Sequence, residues 1–177
     1  MKKAVNFIKR SLRKSRNIVL DIFYSGYFMH DSSQSLLNSK CYSHGSDYIV
    51  LAQVFSKVPV DNDDIFIDVG CGRGRVCAYV ARHFSPIKII GVEVNPAVAL
   101  YAKKLVSFYK ITILTENIFH KFPMGSYYFL YNPFSKDDFL FFLREADKVH
   151  VKKIVLVNCD PIIQSLNKDI EMTSIQN

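Results

Sequence analysis

The sequence predicts an α/β fold in which a doubly wound, mostly parallel sheet is covered by helices on both faces. Five short apolar segments, typical of buried strands, alternate with segments of helical periodicity. The first of these strands, residues 65–69, leads into three glycines at alternate positions, Gly70, Gly72 and Gly74. Glycines in that pattern let the chain turn sharply and bring its backbone close to a ligand. In a doubly wound sheet such a ligand binds at the carboxyl ends of the strands.

The first predicted element is a basic amphipathic helix over residues 3–28. Its apolar side chains recur at helical spacing, and seven of the 23 basic residues of the chain precede the first acid, Asp21. The remaining 16 basic residues are balanced by 16 acidic ones, so the net charge of +7 resides in residues 1–20. Such a segment is typical of helices that meet an anionic membrane or nucleic acid, although a solvated helix face gives the same pattern. We predict peripheral membrane contact as its functional interpretation.

The next helix is predicted over residues 47–57, with Ser46 as its N-cap. Tyr42 and His44 precede it and the glycine-rich loop. One interpretation is that both side chains fold over a bound ligand and close its pocket. The alternative is that Tyr42 packs and His44 satisfies a turn.

Proline and asparagine delimit the helices that follow. The helix after the glycines begins near Arg75 and must end before Pro86. Asn95 and Pro96 then provide an N-cap and a proline at the first helical position, which begins another helix. The complete set of predicted helices covers residues 3–28, 47–57, 75–85, 96–109, 136–147 and 161–166.

Polar residues stand at the end of each of the first four predicted strands, which cover residues 65–69, 88–94, 111–114, 127–131 and, for the fifth, 153–158. These polar residues are Asp68, Glu93, Asn117 and Asn132. Because the carboxyl ends of parallel strands meet at one edge of the sheet, we expect the four side chains to line one site. Only 19 residues follow Asn158, so the sheet is expected to be shortened at its carboxyl-terminal strands. We expect the exposed edge to be covered by the amino-terminal helix or by a homodimer contact.

The composition is that of one globular domain preceded by a short basic segment. Of the 177 residues, 49% are hydrophobic and 14% aromatic, which argues against a disordered chain. We divide the chain into a basic helical segment and cap (1–45) and a main domain (46–177). The four cysteines form no recognisable metal-binding pattern, so no metal is predicted. No apolar run approaches the roughly 20 residues of a membrane span, and we expect a soluble, cytoplasmic protein.

The spacing of the glycines indicates what kind of ligand the loop holds. A dinucleotide-binding loop has the pattern Gly-x-Gly-x-x-Gly, but its last position here is Arg75 and the third glycine comes one residue early. Asp68 would repel a pyrophosphate and would instead attract a ligand that carries an ammonium and a sulfonium group. Glu93 is placed to accept two hydrogen bonds from the hydroxyls of a ribose. The loop therefore favours an adenosyl cofactor without phosphates.

The pattern Asp68-x-Gly70-x-Gly72-x-Gly74 resembles motif I of the class I S-adenosylmethionine-dependent methyltransferases. Residues 47–161 look like the Rossmann-like core of a small bacterial member of that superfamily. The resemblance implies S-adenosyl-L-methionine as the cofactor and methyl transfer as the reaction. The glycine loop and Gly91-Val-Glu93 are also similar to lysine methyltransferases of the Dot1 type, but these features are shared across the superfamily.

The resemblance also implies roles for individual residues. Asn117 would read the adenine amino group, where the family more often has Asp, and Ile118 would cover the ring. Asn132 would orient the nucleophile of the acceptor, with Tyr131 and Phe134 near the sulfonium. We therefore expect Asn132, Tyr131 and Phe134 to be the catalytic residues and Tyr42 and His44 to form the cap. The expected cofactor-binding residues are Asp68, Gly70, Cys71, Gly72, Gly74, Glu93, Val94, Asn117, Ile118 and Asn132.

The acceptor is left open by the sequence. Asn132-Pro-Phe resembles the Asn-Pro-Pro-aromatic motif of enzymes that methylate amino groups, but it lacks the second proline. The neutral charge of the main domain argues against a nucleic acid, which leaves a small molecule, a glycan or a protein. Two other functions stay as alternatives. One is a non-catalytic module, because no side chain stands out as a general base; the other is an NAD-dependent oxidoreductase.

Overall fold

Six parallel strands form one sheet in the described part of the chain. The computed structural model describes residues 2–26, 46–131, 134–149, 151–158 and 172–175. The strands lie in the order β3-β2-β1-β4-β5-β6. Their bounds are Ile65–Val69 (β1), Lys88–Glu93 (β2), Ile111–Thr115 (β3), Tyr127–Tyr131 (β4), Lys153–Val157 (β5) and Met172–Ile175 (β6). The order reverses between β1 and β4, which is the switch point at which doubly wound sheets bind ligands.

Several helix boundaries differ from the predicted ones. The helices are Lys2–Ser25 (α1), Tyr48–Lys57 (α2), Arg75–His83 (α3), Pro96–Leu105 (α4) and Lys136–Lys148 (α5). The N-cap of α2 is Asp47, not Ser46, because the Asp47 carboxylate accepts a hydrogen bond from the Ile49 N–H at 2.8 Å. Helix α4 ends four residues before the predicted Tyr109. The Tyr109 N–H closes a turn on the Val106 carbonyl at 3.0 Å, and its hydroxyl donates to the Tyr24 carbonyl at 2.7 Å.

Alternate residues of the strands build two separate cores, one on each face of the sheet. In β4, Tyr127 and Phe129 belong to the core beneath α2 and α3, whereas Tyr128 and Leu130 belong to the core beneath α5. All four are fully buried. A strand with large apolar side chains on both faces requires helices on both faces, which explains the uninterrupted apolar sequence of β4.

The β5 side of the sheet is covered by a further strand, β6, and not by α1. β6 pairs in parallel with β5, with Ile154 opposite Met172 and Val157 opposite Ile175. The prediction that α1 covers the fifth strand is therefore wrong. The 19 residues after Asn158 are too few to form two further strands. They are enough to form the one strand, β6, that pairs with β5.

Helix α1 is instead fastened to the start of α3 by a buried ion pair. The Arg75 guanidinium donates from Nε to Asp21 Oδ1 at 2.8 Å and from Nη2 to Asp21 Oδ2 at 2.7 Å. Its Nη1 donates to the Ser46 carbonyl at 2.9 Å, and the Tyr48 hydroxyl donates to Asp21 Oδ1 at 3.0 Å. Burial, reinforced by the Asp21 charge, raises the pKa of Tyr48, so its hydroxyl stays a donor.

A second polar contact joins α1 to the start of α2. The Asp47 carboxylate accepts hydrogen bonds from Arg13, from Arg16 Nη2 at 3.0 Å and from Asn17 Nδ2 at 3.1 Å. Burial alone would raise the pKa of Asp47, but the hydrogen bonds from the Ile49 N–H, Arg13 and Asn17 outweigh it and hold the pKa below its usual value. Two of the seven amino-terminal cations therefore face the domain.

Breaking the buried pair is expected to be far more costly than breaking an exposed one. Arg75→Met or Asp21→Asn should each lower the free energy of unfolding by roughly 3–5 kcal/mol, because each leaves the partner charge buried without compensation. The double variant should lose less than the sum of the single losses. Urea unfolding of the four proteins measures both quantities.

The matched control is Glu145→Gln, which breaks the exposed pair between Glu145 and Lys148. This substitution should change the free energy of unfolding by less than about 1 kcal/mol. An effect of Arg75→Met as small as that of the control would show that the buried pair does not hold α1 in place.

Candidate functional site

The loop after β1 is shaped by backbone conformations that favour glycine. Gly70, Gly72 and Gly74 have φ values of 72°, 54° and 82°, all in the left-handed region. The N–H groups of Gly70 and Cys71 both donate to the Val92 carbonyl at 2.9 Å, which ties the loop to the end of β2. The Gly74 N–H donates to the Cys71 carbonyl at 2.8 Å and closes the turn that leads into α3.

Gly91, in the middle of β2, makes room for this loop. A Cβ at Gly91 would lie 2.7 Å from Cys71 Sγ and 2.8 Å from Ile113 Cδ1, closer than real Cβ atoms approach a neighbour. The Cys71 side chain is buried in the space that Gly91 leaves. Cys71, which was predicted as a cofactor-binding residue, thus packs beneath the loop rather than on its open side.

Glu93 bridges the glycine loop and the start of α4. Its Oε2 accepts from the Gly72 N–H at 3.0 Å and its Oε1 from the Asn95 N–H at 2.9 Å. A carboxylate has about four lone-pair positions, so each oxygen can accept one further hydrogen bond. The neighbouring Val94 is 63% exposed and offers an apolar surface beside the half-buried carboxylate.

Asp68 lies beneath the loop and is almost fully buried. Burial raises the pKa of its carboxyl to about 7; the hydrogen bond that Cys77 Sγ donates to Oδ2 at 3.5 Å opposes the rise, and the charge of Glu93 adds to it. Glu93 thus places a carboxylate on the loop, and Asp68 places a carboxyl group beneath it. Cys77 was missed at the sequence level, although its position two residues into α3 would have placed it beside β1.

The residues after β3 are held by their own local hydrogen bonds. Asn117 Oδ1 accepts from the Phe119 N–H at 3.0 Å, and its carbonyl accepts from the His120 N–H at 2.9 Å. Ile118 is buried with the core beneath α5. The backbone N–H of Glu116 donates to the Glu93 carbonyl at 3.2 Å, which holds this segment beside the end of β2.

The ends of β4 and β5 contribute a pair of polar side chains. Asn158 Nδ2 donates to the Tyr131 hydroxyl at 2.6 Å. Asn158 has a φ of 52°, the one left-handed residue other than glycine among those described. Phe134, predicted to lie near a sulfonium, packs its ring 5.0 Å from that of Phe119 and 5.6 Å from that of Phe142. The predictions for Asn132, Tyr42 and His44 lie outside the described residues.

The topology brings most of the predicted residues to one edge of the sheet. The glycine loop, Glu93, the Asn117 segment and Tyr131 follow four adjacent strands at their carboxyl ends. Asn158 joins them from β5 and was not predicted. The sequence signal for Asn158 is a polar residue at the end of an apolar strand. The same signal led to the prediction of Asp68, Glu93, Asn117 and Asn132.

A parallel sheet with its switch point at β1, and an acidic glycine loop after that strand, define the class I methyltransferase fold. Residues 38–173 match the family model described as "Histone methylation protein DOT1". The match covers more than half of the chain, so the chain belongs to that methyltransferase family.

Individual relatives agree with the class. The chain is 26% identical over 110 residues to a protein of Invertebrate iridescent virus 6 named as methyltransferase 235L, covering 59% of this chain and 42% of the relative. It is 39% identical over 46 residues to a protein-lysine N-methyltransferase of Saccharolobus islandicus (strain REY15A), covering 26% and 29%. The chain thus spans less than half the length of either curated relative.

A solved structure shows the same fold. The RNA methyltransferase of Salinibacter ruber, crystallised in complex with S-adenosyl-L-homocysteine, superposes with a TM-score of 0.53 at 17% identity. The superposition covers 60% of this chain and 71% of that protein. It establishes the arrangement of strands and helices shared by the two proteins.

The buried Asp68 should make stability depend on pH. Its pKa of about 7 in the folded state lies above the ordinary value of 3.8, so the folded protein binds this proton more tightly than the unfolded one. The stabilising contribution is present below pH 4 and is lost as the pH rises through 7. Asp68→Asn, which carries no charge, should therefore be more stable than the wild type at pH 8.

Urea unfolding at pH 5, 6, 7 and 8 measures this difference. Asp63→Asn serves as the control, because its carboxyl is exposed and its removal should leave the slope between pH 5 and 7 unchanged. Identical slopes for the wild type and Asp68→Asn would mean that the Asp68 proton is not held by the fold.

Proposed function

We propose that this protein is an S-adenosyl-L-methionine-dependent methyltransferase that acts on a small-molecule, glycan or protein acceptor. The observation that carries the proposal is the left-handed glycine loop closed by Glu93 over the buried Asp68. A loop that binds the Glu93 carboxylate and has the Asp68 carboxyl buried beneath it suits a ligand with positive charge. The same loop would repel the pyrophosphate of a dinucleotide.

The residues present fit this cofactor on four counts. The glycine backbone permits close approach, and Glu93 retains acceptor capacity for ribose hydroxyls. Val94 offers an exposed apolar surface for the base. Arg73, a cation within the loop, is turned onto the Tyr101 ring at 5.0 Å from its centroid. Glu93 is thus the half-buried carboxylate of the loop that can face the ligand.

The cofactor supplies an electrophilic methyl group when it is bound. The chain's own part is to hold and orient the reactants, which is where most of the rate acceleration of such a displacement comes from. The loop and Glu93 would hold the adenosyl end, and the Asp68 carboxyl, buried beneath the loop, would favour the cationic end as the pH rises through about 7 and the carboxyl ionises. Tyr131 and Asn158, hydrogen-bonded to each other beyond β4 and β5, are proposed to position the nucleophile of the acceptor.

An amino group of a protein lysine is the acceptor that we favour. Support comes from the family to which the chain belongs and from the protein-lysine N-methyltransferase that it resembles over 46 residues. A neutral main domain agrees with a protein rather than a nucleic-acid partner.

Cofactor binding can be tested without knowing the acceptor. Glu93→Gln should weaken binding of S-adenosyl-L-homocysteine by about 10- to 100-fold, because it replaces charge-assisted hydrogen bonds and turns a donor toward one of two backbone N–H groups. Isothermal titration calorimetry measures the affinity. Glu145→Gln on α5 is the matched control and should leave the affinity unchanged. Equal affinities for Glu93→Gln and the wild type, or tighter binding of NAD, would overturn the site.

Acceptor class can be tested with S-adenosylmethionine that carries a labelled methyl group. The protein should transfer label to a lysine-rich protein mixture such as histones. It should transfer little or none to the same mixture after its lysines have been blocked by acetylation. Equal labelling of the blocked mixture would exclude an amine acceptor, and labelling of glycans or small molecules alone would assign the acceptor to those classes.

A further inference from the structure

Helix α1 presents a continuous apolar surface to solvent. The surface, termed here the outer stripe, consists of exposed side chains at helical spacing: Ile8, Leu12, Val19, Ile22 and Phe23. Leu12, Val19 and Phe23 are each more than 60% exposed. Solvated helices of globular proteins do not ordinarily gather their large apolar side chains on the outward face.

The outer stripe is directed outward because the opposite side of α1 is fastened to the domain. The fastened side carries Arg13, Arg16 and Asn17 on Asp47, and Asp21 on Arg75. At about 3.6 residues per turn, the centre of the outer stripe lies roughly 130° around the helix from the centre of these contacts. The anchors therefore set which face of α1 is offered to a partner.

The exposed cations in the amino-terminal half of α1 lie beside the outer stripe and opposite it. Residues 6–15 are all exposed, and they include Lys9, Arg10 and Lys14. Among the residues that the structure describes, no carboxylate lies within ion-pair distance of these three. The sequence adds Lys2 and Lys3 and contains no acid before Asp21. A partner that fits this helix has a negatively charged surface and an apolar layer directly below that surface.

We propose that α1 binds the surface of an anionic lipid bilayer, with the outer stripe in the boundary between headgroups and acyl chains. None of the described helices is long and apolar enough to cross a membrane. Helix α1 therefore lies along the interface, with its Lys and Arg side chains reaching the anionic headgroups. This proposal does not depend on the proposed methyl transfer.

The chemistry of α1 favours a bilayer over two other partners. A nucleic acid would pair with the cations but would leave the outer stripe in water. A second copy of the chain could cover the stripe, but it would bring the positively charged amino-terminal segment of one copy against that of the other. An anionic bilayer satisfies both the apolar and the charged requirement.

Vesicle binding by the full chain tests the proposal. We expect sedimentation with vesicles that contain phosphatidylserine, weaker binding to phosphatidylcholine alone, and release at high salt. The combined variant Lys9→Gln, Arg10→Gln, Lys14→Gln should lower the partition coefficient on phosphatidylserine on the order of 100-fold. The stripe variant Leu12→Ser, Val19→Ser should lower it by at least about 10-fold.

Matched controls separate the outer stripe from exposed apolar residues in general. Ile87 is 71% exposed on the main domain, and Ile87→Ser should bind vesicles like the wild type. Because the sequence has no tryptophan, Leu12→Trp installs a single fluorophore whose emission should shift to the blue on phosphatidylserine vesicles. Ile87→Trp should show no shift.

Three outcomes would overturn the proposal. The first is vesicle binding that is absent, or that neither set of α1 substitutions changes. The second is self-association that Leu12→Ser, Val19→Ser abolishes, measured by analytical ultracentrifugation, which would assign the stripe to a second copy. The third is tighter binding to an RNA or DNA oligonucleotide than to phosphatidylserine vesicles. Circular dichroism of each variant verifies that it is folded.

Discussion

The buried ion pair between Asp21 and Arg75 is the interaction on which the arrangement of this protein depends. Removing two charges from water is costly, and the pair offsets that cost only because every polar atom has a partner, including the Tyr48 hydroxyl and the Ser46 carbonyl. A hydrophobic contact could hold α1 as strongly but would allow it to rotate. The two-pronged geometry of Arg75 fixes the rotation of α1, and Arg75 directly follows the glycine loop. The orientation of the outer stripe and the start of α3 are therefore set by one contact.

The glycine loop is held from a different direction. The carbonyl of Val92 and the carboxylate of Glu93 accept N–H groups of the loop, so the end of β2 defines its shape. The loop contributes little apolar surface of its own and relies on Gly91 and Cys71 for its packing. Asp68 beneath it raises the free energy of the folded state at neutral pH, a cost typical of sites where charge is arranged for a ligand. In the protein without ligand, the Asp68 charge that would attract a cation therefore also lowers the stability of the fold around the loop.

The sequence predicted the features that depend on neighbouring residues and missed those that depend on distant ones. Strand positions followed from runs of buried apolar residues, and the start of α4 followed from its Asn95 cap. The N-cap of α2 is one residue later than predicted, at Asp47, which also receives Arg13 and Arg16 from 31 to 34 residues away. The Asn158–Tyr131 pair joins two strands, and β6 closes the sheet where α1 was expected. At the site, the sequence motif predicted the glycine loop, Asp68 and Glu93. The packing of Cys71 beneath the loop and the hydrogen bond from Cys77 to Asp68 could be seen only in the structure.

Charge distribution connects these observations. Three carboxyl groups of the main domain show how its charge is placed: Asp68 lies beneath the glycine loop, Glu93 accepts from the Gly72 N–H, and Asp47 receives Arg13 and Arg16 of α1. Asp21 of α1 binds Arg75 of α3, which leaves Lys9, Arg10 and Lys14 without acidic partners among the described residues. If the domain carried more acidic residues next to α1, more of the helix would pack against the domain, and the outer stripe would still face water. The small number of anchors leaves the helix both fixed in orientation and positively charged, which is the combination that an amphipathic helix needs at an anionic surface.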